Sequence, residues 1–288
     1  MMRLNDPSYT YKEILDECNK GITGNNSLKK KLQSSMKDLM EEGERYSKLS
    51  KKGELYEIKA VTSNKADDPV IIKDLKKSDL VKFYDTYFVP DGKDTRKIYD
   101  SLLNAAEEKC PFCGGIGTPR NLDHFLPKSQ FPQFSIFPQN LVPSCRDCNM
   151  DGNPIGYAEK AGDQIIQPYL DDDIFFSEQW IYATYSKNVF DVEPGCFTYF
   201  VKPPEKWTEV NKNRVEKHFL EFNIAKRYST RAAEHLGIAL GQVNNFRKVA
   251  GLDHDDFIRK FFQGSVDSVP FPNHWFKGMY QALIDSLK

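Results

Sequence analysis

The 288-residue sequence predicts an α+β fold in which mainly α-helical lobes flank a compact central motif and a small β segment follows it. Three observations predict this. Apolar residues recur at helical spacing before residue 110 and after residue 202, and they alternate at strand spacing between 180 and 201. Between 110 and 160 two C-x-x-C pairs bracket a stretch rich in Pro and Phe. The organisation expected is therefore 1–109 mainly helical, 110–160 the cysteine-clamped motif, 161–201 a short β segment and 202–288 a helical region.

The elements follow in order. Thr10-x-x-Glu13 is a capping box for a helix that places Tyr11, Ile14, Leu15 and Cys18 on one face before Gly21 stops it. Ser27 opens a second helix with Leu28, Leu32, Met36 and Leu39 on one stripe and Lys29 to Lys31 on a solvated face. Residues 50–75, with Gly53, Asn64 and Asp67-Asp68-Pro69, read as loop and strand. Ser78 precedes an amphipathic run of Leu80, Phe83, Tyr84 and Tyr87, and Ile98, Leu102 and Ala105 mark one more helix leading into Cys110.

Within the motif, Ile116 to Phe125 reads as one arm of a β-hairpin and Pro127 to Pro138 as an irregular loop whose Phe125, Phe131, Phe134 and Phe137 fill a small core. Beyond it, Gln167 to Asp173 is an acidic turn. Trp180 to Tyr185, Val189 to Val192 and Phe197 to Val201 alternate as strands. After Trp207 the stripes are helical again: Val215, Phe219 and Phe222, then Ala232 and Leu236, then Phe276, Tyr280, Leu283 and Leu287.

Composition bounds the class. A chain that is 40% hydrophobic and 13% aromatic can bury a core, which excludes wholesale disorder. No window reaches the roughly 18 apolar residues of a membrane span, and the first residues lack the apolar core of a signal peptide, so a cytoplasmic protein without a membrane partner is expected. Lys and Arg against Asp and Glu number 21 and 20 in residues 1–109, 4 and 4 in 110–160, 1 and 7 in 161–201, and 14 and 10 in 202–288. No region is strongly basic, so phosphate binding has to come from a folded basic face or a partner. No ATP motif is present, which leaves any energy-driven step to another protein.

Cys110-Pro-Phe-Cys113 and Cys145-Arg-Asp-Cys148 are separated by the 31 residues 114–144, and their four thiolates can converge on one structural zinc ion. Cys18 and Cys196 lie outside this set and are expected as two buried thiols. His218, His235, His254 and His274 have no ligand spacing and are expected to be structural or exposed.

The string Leu122-Asp-His-Phe-Leu-Pro127, the later Asn140-Leu141 and Cys145-Arg-Asp-Cys-Asn149 resemble the HNH (ββα-metal) endonuclease family in its four-cysteine form. The resemblance covers about residues 110–153. It implies a zinc-stapled ββα-metal motif in which Asp123 and Asn149 ligate a catalytic Mg²⁺ or Mn²⁺, His124 is the general base, and Asn140 orients the loop and the histidine backbone. It implies hydrolysis of phosphodiester bonds, with DNA the favoured substrate. Nucleases attached to helical lobes are similar to bacterial restriction or phage-defence effectors, and the partner implied there is a separate ATPase or sensor protein.

One departure bears on substrate binding. Where many members of that family carry a lysine, this chain has Gly152, so Lys128 or Arg146 becomes the candidate phosphate contact. The alternative from another class is a zinc-ribbon module that binds nucleic acid or protein and has little catalytic power.

Overall fold

The computed structural model describes residues 1–62, 67–151, 156–186, 195–250 and 254–286. The capping box forms as its spacing requires: the Thr10 hydroxyl accepts the Glu13 N–H at 3.3 Å and the Glu13 carboxylate accepts the Thr10 N–H at 2.7 Å. It opens α1 (Tyr11–Gly21), which buries Tyr11, Ile14, Leu15 and Cys18. Asn25 caps the next helix through the Leu28 N–H at 3.0 Å. That helix, α2 (Asn26–Lys52), runs to Gly53, whose φ of 71° ends it. It is longer than the stripe ending at Leu39 suggested, because Gly43, Tyr46 and Ser50 continue its buried face with residues that carry little apolar signal.

Strands β1 (Val70–Ile72) and β2 (Leu75–Lys76) make a short antiparallel pair. Helix α3 (Lys77–Lys82) then widens into a π-helical turn over Phe83–Phe88, closed by the Val89 N–H to the Tyr84 carbonyl at 3.0 Å. Such turns redirect side chains, and this one matters for Tyr84. Helix α4 (Arg96–Asn104) buries Ile98, Tyr99 and Leu102 and leads to the first cysteine pair.

In the centre, β3 (Asn121–His124) pairs antiparallel with β4 (Leu141–Ser144), from Asn121 opposite Ser144 to His124 opposite Leu141, and α5 (Arg146–Asp151) follows at once. The strand is shorter than the arm expected over 116–125, since Gly117 and Pro119 are poor strand residues. The loop between the strands is irregular, with short 3₁₀ turns at Pro132–Phe134 and Pro138–Asn140. Its phenylalanines, Phe125, Phe131, Phe134 and Phe137, are buried in the core.

After the short α6 (Ile174–Ser177), β5 (Ile181–Ser186) pairs with β6 (Cys196–Val201), Ile181 opposite Val201. The expected strand at Val189 to Val192 lies outside the described residues, as does Leu287 of the last stripe. Among the described residues four helices follow: α7 (Glu209–Glu221), α8 (Ile224–Ala250), α9 (His254–Asp267) and α10 (Trp275–Ser286). Buried side chains from all these regions join one contiguous apolar cluster. The architecture is thus mixed α and β, with small two-stranded sheets.

The two remaining cysteines part company. Cys18 is buried as expected, whereas Cys196 is exposed, because it begins β6 with its side chain on the open face of the pair. Among the described residues no helix is long and apolar enough to cross a membrane.

Candidate metal centre and adjoining cleft

The first cysteine pair sits on a tight turn in which the Cys110 N–H donates to the Gly117 carbonyl and the Gly115 N–H donates to the Cys110 carbonyl, each at 2.9 Å. A side chain on Gly117 would place its first carbon 2.4 Å from the Cys145 sulfur, so this turn needs glycine to let the second pair approach. The second pair frames the start of α5. All four sulfurs of Cys110, Cys113, Cys145 and Cys148 lie within 4.8 Å of one another, and all four residues are buried. A tetrahedral zinc with ~2.3 Å bonds to sulfur separates its thiolates by roughly 3.8 Å, so the cluster could hold a zinc ion.

A backbone N–H and a guanidinium donate to those sulfurs. The Gly117 N–H donates to Cys113 at 3.4 Å. Arg227 on α8 donates to Cys148 at 3.0 Å through Nη1 and, through Nη2, to Cys113 at 3.3 Å and Cys145 at 3.5 Å, and Nη2 also meets Asp147 at 3.5 Å. The guanidinium fork opposes the excess negative charge that four thiolates leave on a dication.

Beside the cluster lies a cleft of about 310 Å³ whose lining includes Asp123, His124, Lys128, Cys148 and Asn149. β3 delivers the first two and α5 the last two. The Asp123 carboxylate accepts the His124 backbone N–H at 2.9 Å, and burial raises its pKa to about 6. A desolvated carboxylate of this kind gains from a cation. A hard divalent ion suits its oxygen together with the amide oxygen of half-buried Asn149.

His124 is held on two sides. Its Nε2 lies 2.8 Å from the Ser135 carbonyl, which places the ring proton on Nε2 and leaves Nδ1 as an acceptor. Tyr84, set by the π-helical turn, packs edge-on with ring centroids 4.4 Å apart and donates its hydroxyl to the Leu122 carbonyl at 3.2 Å. Burial lowers the histidine pKa to about 4, and the Ser135 carbonyl only partly opposes this, so the imidazole is neutral at neutral pH.

Asn140 does not line the cleft. It is fully buried and uses its whole amide: Oδ1 accepts the Leu126 N–H at 2.8 Å and the Tyr46 hydroxyl at 3.1 Å, while Nδ2 donates to the Leu126 and Phe134 carbonyls at 3.0 and 3.1 Å. Its own carbonyl accepts the Phe125 N–H at 2.9 Å. It therefore pins the loop that leaves His124, a positioning role.

Protein ea31 of Escherichia phage lambda is 36% identical to this chain over 295 residues, covering 99% of the chain and 98% of that protein. The chain belongs to the ea31 family. No family model matches it, and no solved structure does.

The two candidate phosphate contacts separate in this family member. Lys128 lines the cleft but forms an ion pair with Asp85 and lies 4.5 Å over the Tyr84 ring. Arg146 is exposed outside the cleft and donates to the Met150 sulfur at 3.4 Å. Among the other histidines, His218 is buried and structural: its Nε2 lies 2.8 Å from the Phe112 carbonyl and its Nδ1 accepts the Ile166 N–H at 3.4 Å. Neither Arg227 nor Tyr84 is marked as a site residue by the sequence. Arg227 lies 79 residues beyond the cysteine it touches most closely, so no local spacing announces it. Tyr84 was readable only as a core aromatic.

Proposed function

We propose that the chain is a metal-dependent endonuclease of the HNH (ββα-metal) kind, acting most favourably on DNA. The observation that carries this reading is the shared cleft. An antiparallel β-hairpin and the short helix α5 bring Asp123, His124 and Asn149 to one concavity, directly against the four-cysteine cluster.

Zinc at Cys110, Cys113, Cys145 and Cys148 would staple α5 to the turn before β3 and so fix Asn149. Asp123 and Asn149 would hold a Mg²⁺ or Mn²⁺ ion. When bound, that ion supplies positive charge for the oxygens of the phosphodiester. His124 takes the proton from the attacking water at Nδ1 while its Nε2–H stays on the Ser135 carbonyl. The water oxygen bonds to phosphorus, one ester P–O bond breaks, and the leaving oxygen collects a proton from solvent. With a pKa of about 4, the base is already free of its proton at neutral pH, although its basicity is correspondingly modest. Tyr84 and Asn140 keep the ring and the loop in place.

The test uses purified protein and labelled single-stranded and duplex DNA. Mild chelation should stop cleavage and added Mg²⁺ should restore it, while zinc content stays at one per chain, because four thiolates hold their ion far more firmly than one carboxylate and one amide. DNA that stays intact in both forms with Mg²⁺ and Mn²⁺ present would favour the alternative, a zinc-ribbon binding module.

A further inference from the structure

The cleft has a second half that the phosphodiester chemistry does not use. Besides Asp123 and His124 it is lined by Tyr56, Phe112, Tyr157 and Phe222, with Phe112 and Phe222 stacked at 4.9 Å. Apolar aromatic walls suit a flat ring, and about 310 Å³ sits at the bottom of the roughly 300–1,000 Å³ range of small-ligand pockets, the size of one nucleotide rather than a duplex segment.

Gln164 supplies the second observation. It lines the cleft at 2% exposure, and its Oε1 accepts the Tyr56 N–H at 3.2 Å, which fixes which end of the amide is which. The other end, Nε2, is buried with no hydrogen-bond partner. Its backbone cannot shift to find one easily: the Gln164 carbonyl accepts Arg214 Nε at 2.9 Å, and the same guanidinium is locked to buried Asp171. A buried, oriented donor without an acceptor is costly and calls for an occupant.

Acceptors line the same cleft. The cleft lining includes the carboxylates of Glu221, paired with Lys217 at 3.0 Å, and Asp163, paired with Lys160 at 3.5 Å. Together with Asp123 they make this interior unfavourable for a second phosphate. What fits is a neutral ring whose edge offers a carbonyl to the amide and a ring N–H to a carboxylate.

We propose that this half of the cleft holds one unpaired nucleobase next to the scissile phosphate, so that the substrate is single-stranded or locally unpaired DNA. Thymine and guanine carry the required C=O and N–H on their pairing edge, and that edge is available only when the base has left its partner. The proposal rests on the nuclease reading for the phosphate beside it.

The experiment measures binding in the His124→Ala protein, which keeps the pocket, with fluorescent thymine-only and cytosine-only oligonucleotides and a mixed-sequence duplex in Mg²⁺. Single-stranded thymine DNA should bind about 10-fold or more tightly than duplex, and more tightly than cytosine DNA. Adding Gln164→Glu keeps the acceptor for Tyr56 but removes the donor; thymine binding should weaken by about 2–10-fold, the worth of a hydrogen bond, and the preference over cytosine should vanish. Zinc content and melting temperature confirm folding of each variant. Duplex binding equal to single-strand binding, or affinities unmoved by Gln164→Glu, would overturn the proposal. Failure of the nuclease reading shows separately, as absent cleavage by the unaltered protein whatever the binding pattern.

Discussion

The guanidinium of Arg227 on α8 lies 3.0 Å from the sulfur of Cys148, so the C-terminal region closes over the zinc candidate from a position 79 residues further along the chain. The contact joins the last third of the molecule to the central motif. It also makes the metal centre depend on a residue that belongs to neither C-x-x-C pair.

Arg227→Ala should therefore weaken zinc retention by about 10–100-fold, the usual cost of removing an outer-shell partner. Arg227→Lys should recover only part of it, because a single ammonium cannot serve three sulfurs in a fork. Competition against a coloured zinc chelator reads both; unchanged zinc affinity in the alanine variant would show that the guanidinium is a bystander.

Asn140→Ala leaves the Leu126 N–H and carbonyl, the Phe134 carbonyl and the Tyr46 hydroxyl without their shared partner in a fully buried place. Buried unsatisfied groups cost about 1–3 kcal/mol each, so the variant should lose several kcal/mol in urea unfolding or fail to accumulate. A loss below about 1 kcal/mol would show that the loop holds itself.

How much of this was legible in the sequence follows from the range of each interaction. The α1 capping box with its stripe and the convergence of the cysteines are written in local spacing, and they appear in the structure where spacing put them, whereas Ala105 of the later stripe is exposed and Ala106 takes the buried place. The run Leu122-Asp-His marked one strand of a hairpin, but its length depended on Gly117 and Pro119 just before it. The long reach of α2 was hidden by Gly43 and Ser50, and the exposure of Cys196 by its place at a strand end. Arg227, Tyr84 and Gln164 take their meaning from tertiary contacts, which no periodicity encodes.

Asp123 carries a testable electrostatic cost. Burial raises its folded pKa to about 6 from 3.8, so the folded state binds the proton more tightly than the unfolded one, and the stability this gives at low pH is lost as pH rises through about 6. At pH 7.5 without divalent ions, Asp123→Asn should raise the melting temperature by a few degrees, since it removes the charge yet keeps the acceptor for the His124 N–H. Mg²⁺ should then stabilise only the unaltered protein. Equal Mg²⁺ shifts in both proteins would place the ion elsewhere.

His218 works with the opposite sign. Burial lowers its pKa to about 3, so the unfolded chain takes up its proton first, and stability falls as pH drops from about 6.5 towards 3. His124 adds to the same slope down to about pH 4. His218→Asn, compared with the unaltered protein by melting temperature from pH 4.5 to 7.5, should show a shallower slope; identical slopes would mean that the histidine titrates freely in the fold.

The central claim is that His124, with Nε2 tied to the Ser135 carbonyl, is the base of a phosphodiester hydrolase. The most direct measurement is the rate of Mg²⁺-dependent DNA cleavage by the unaltered protein and by His124→Ala at matched zinc content. Cleavage by the first and a fall of about 10²–10⁴-fold in the second are expected. Equal rates in the two proteins would contradict that claim.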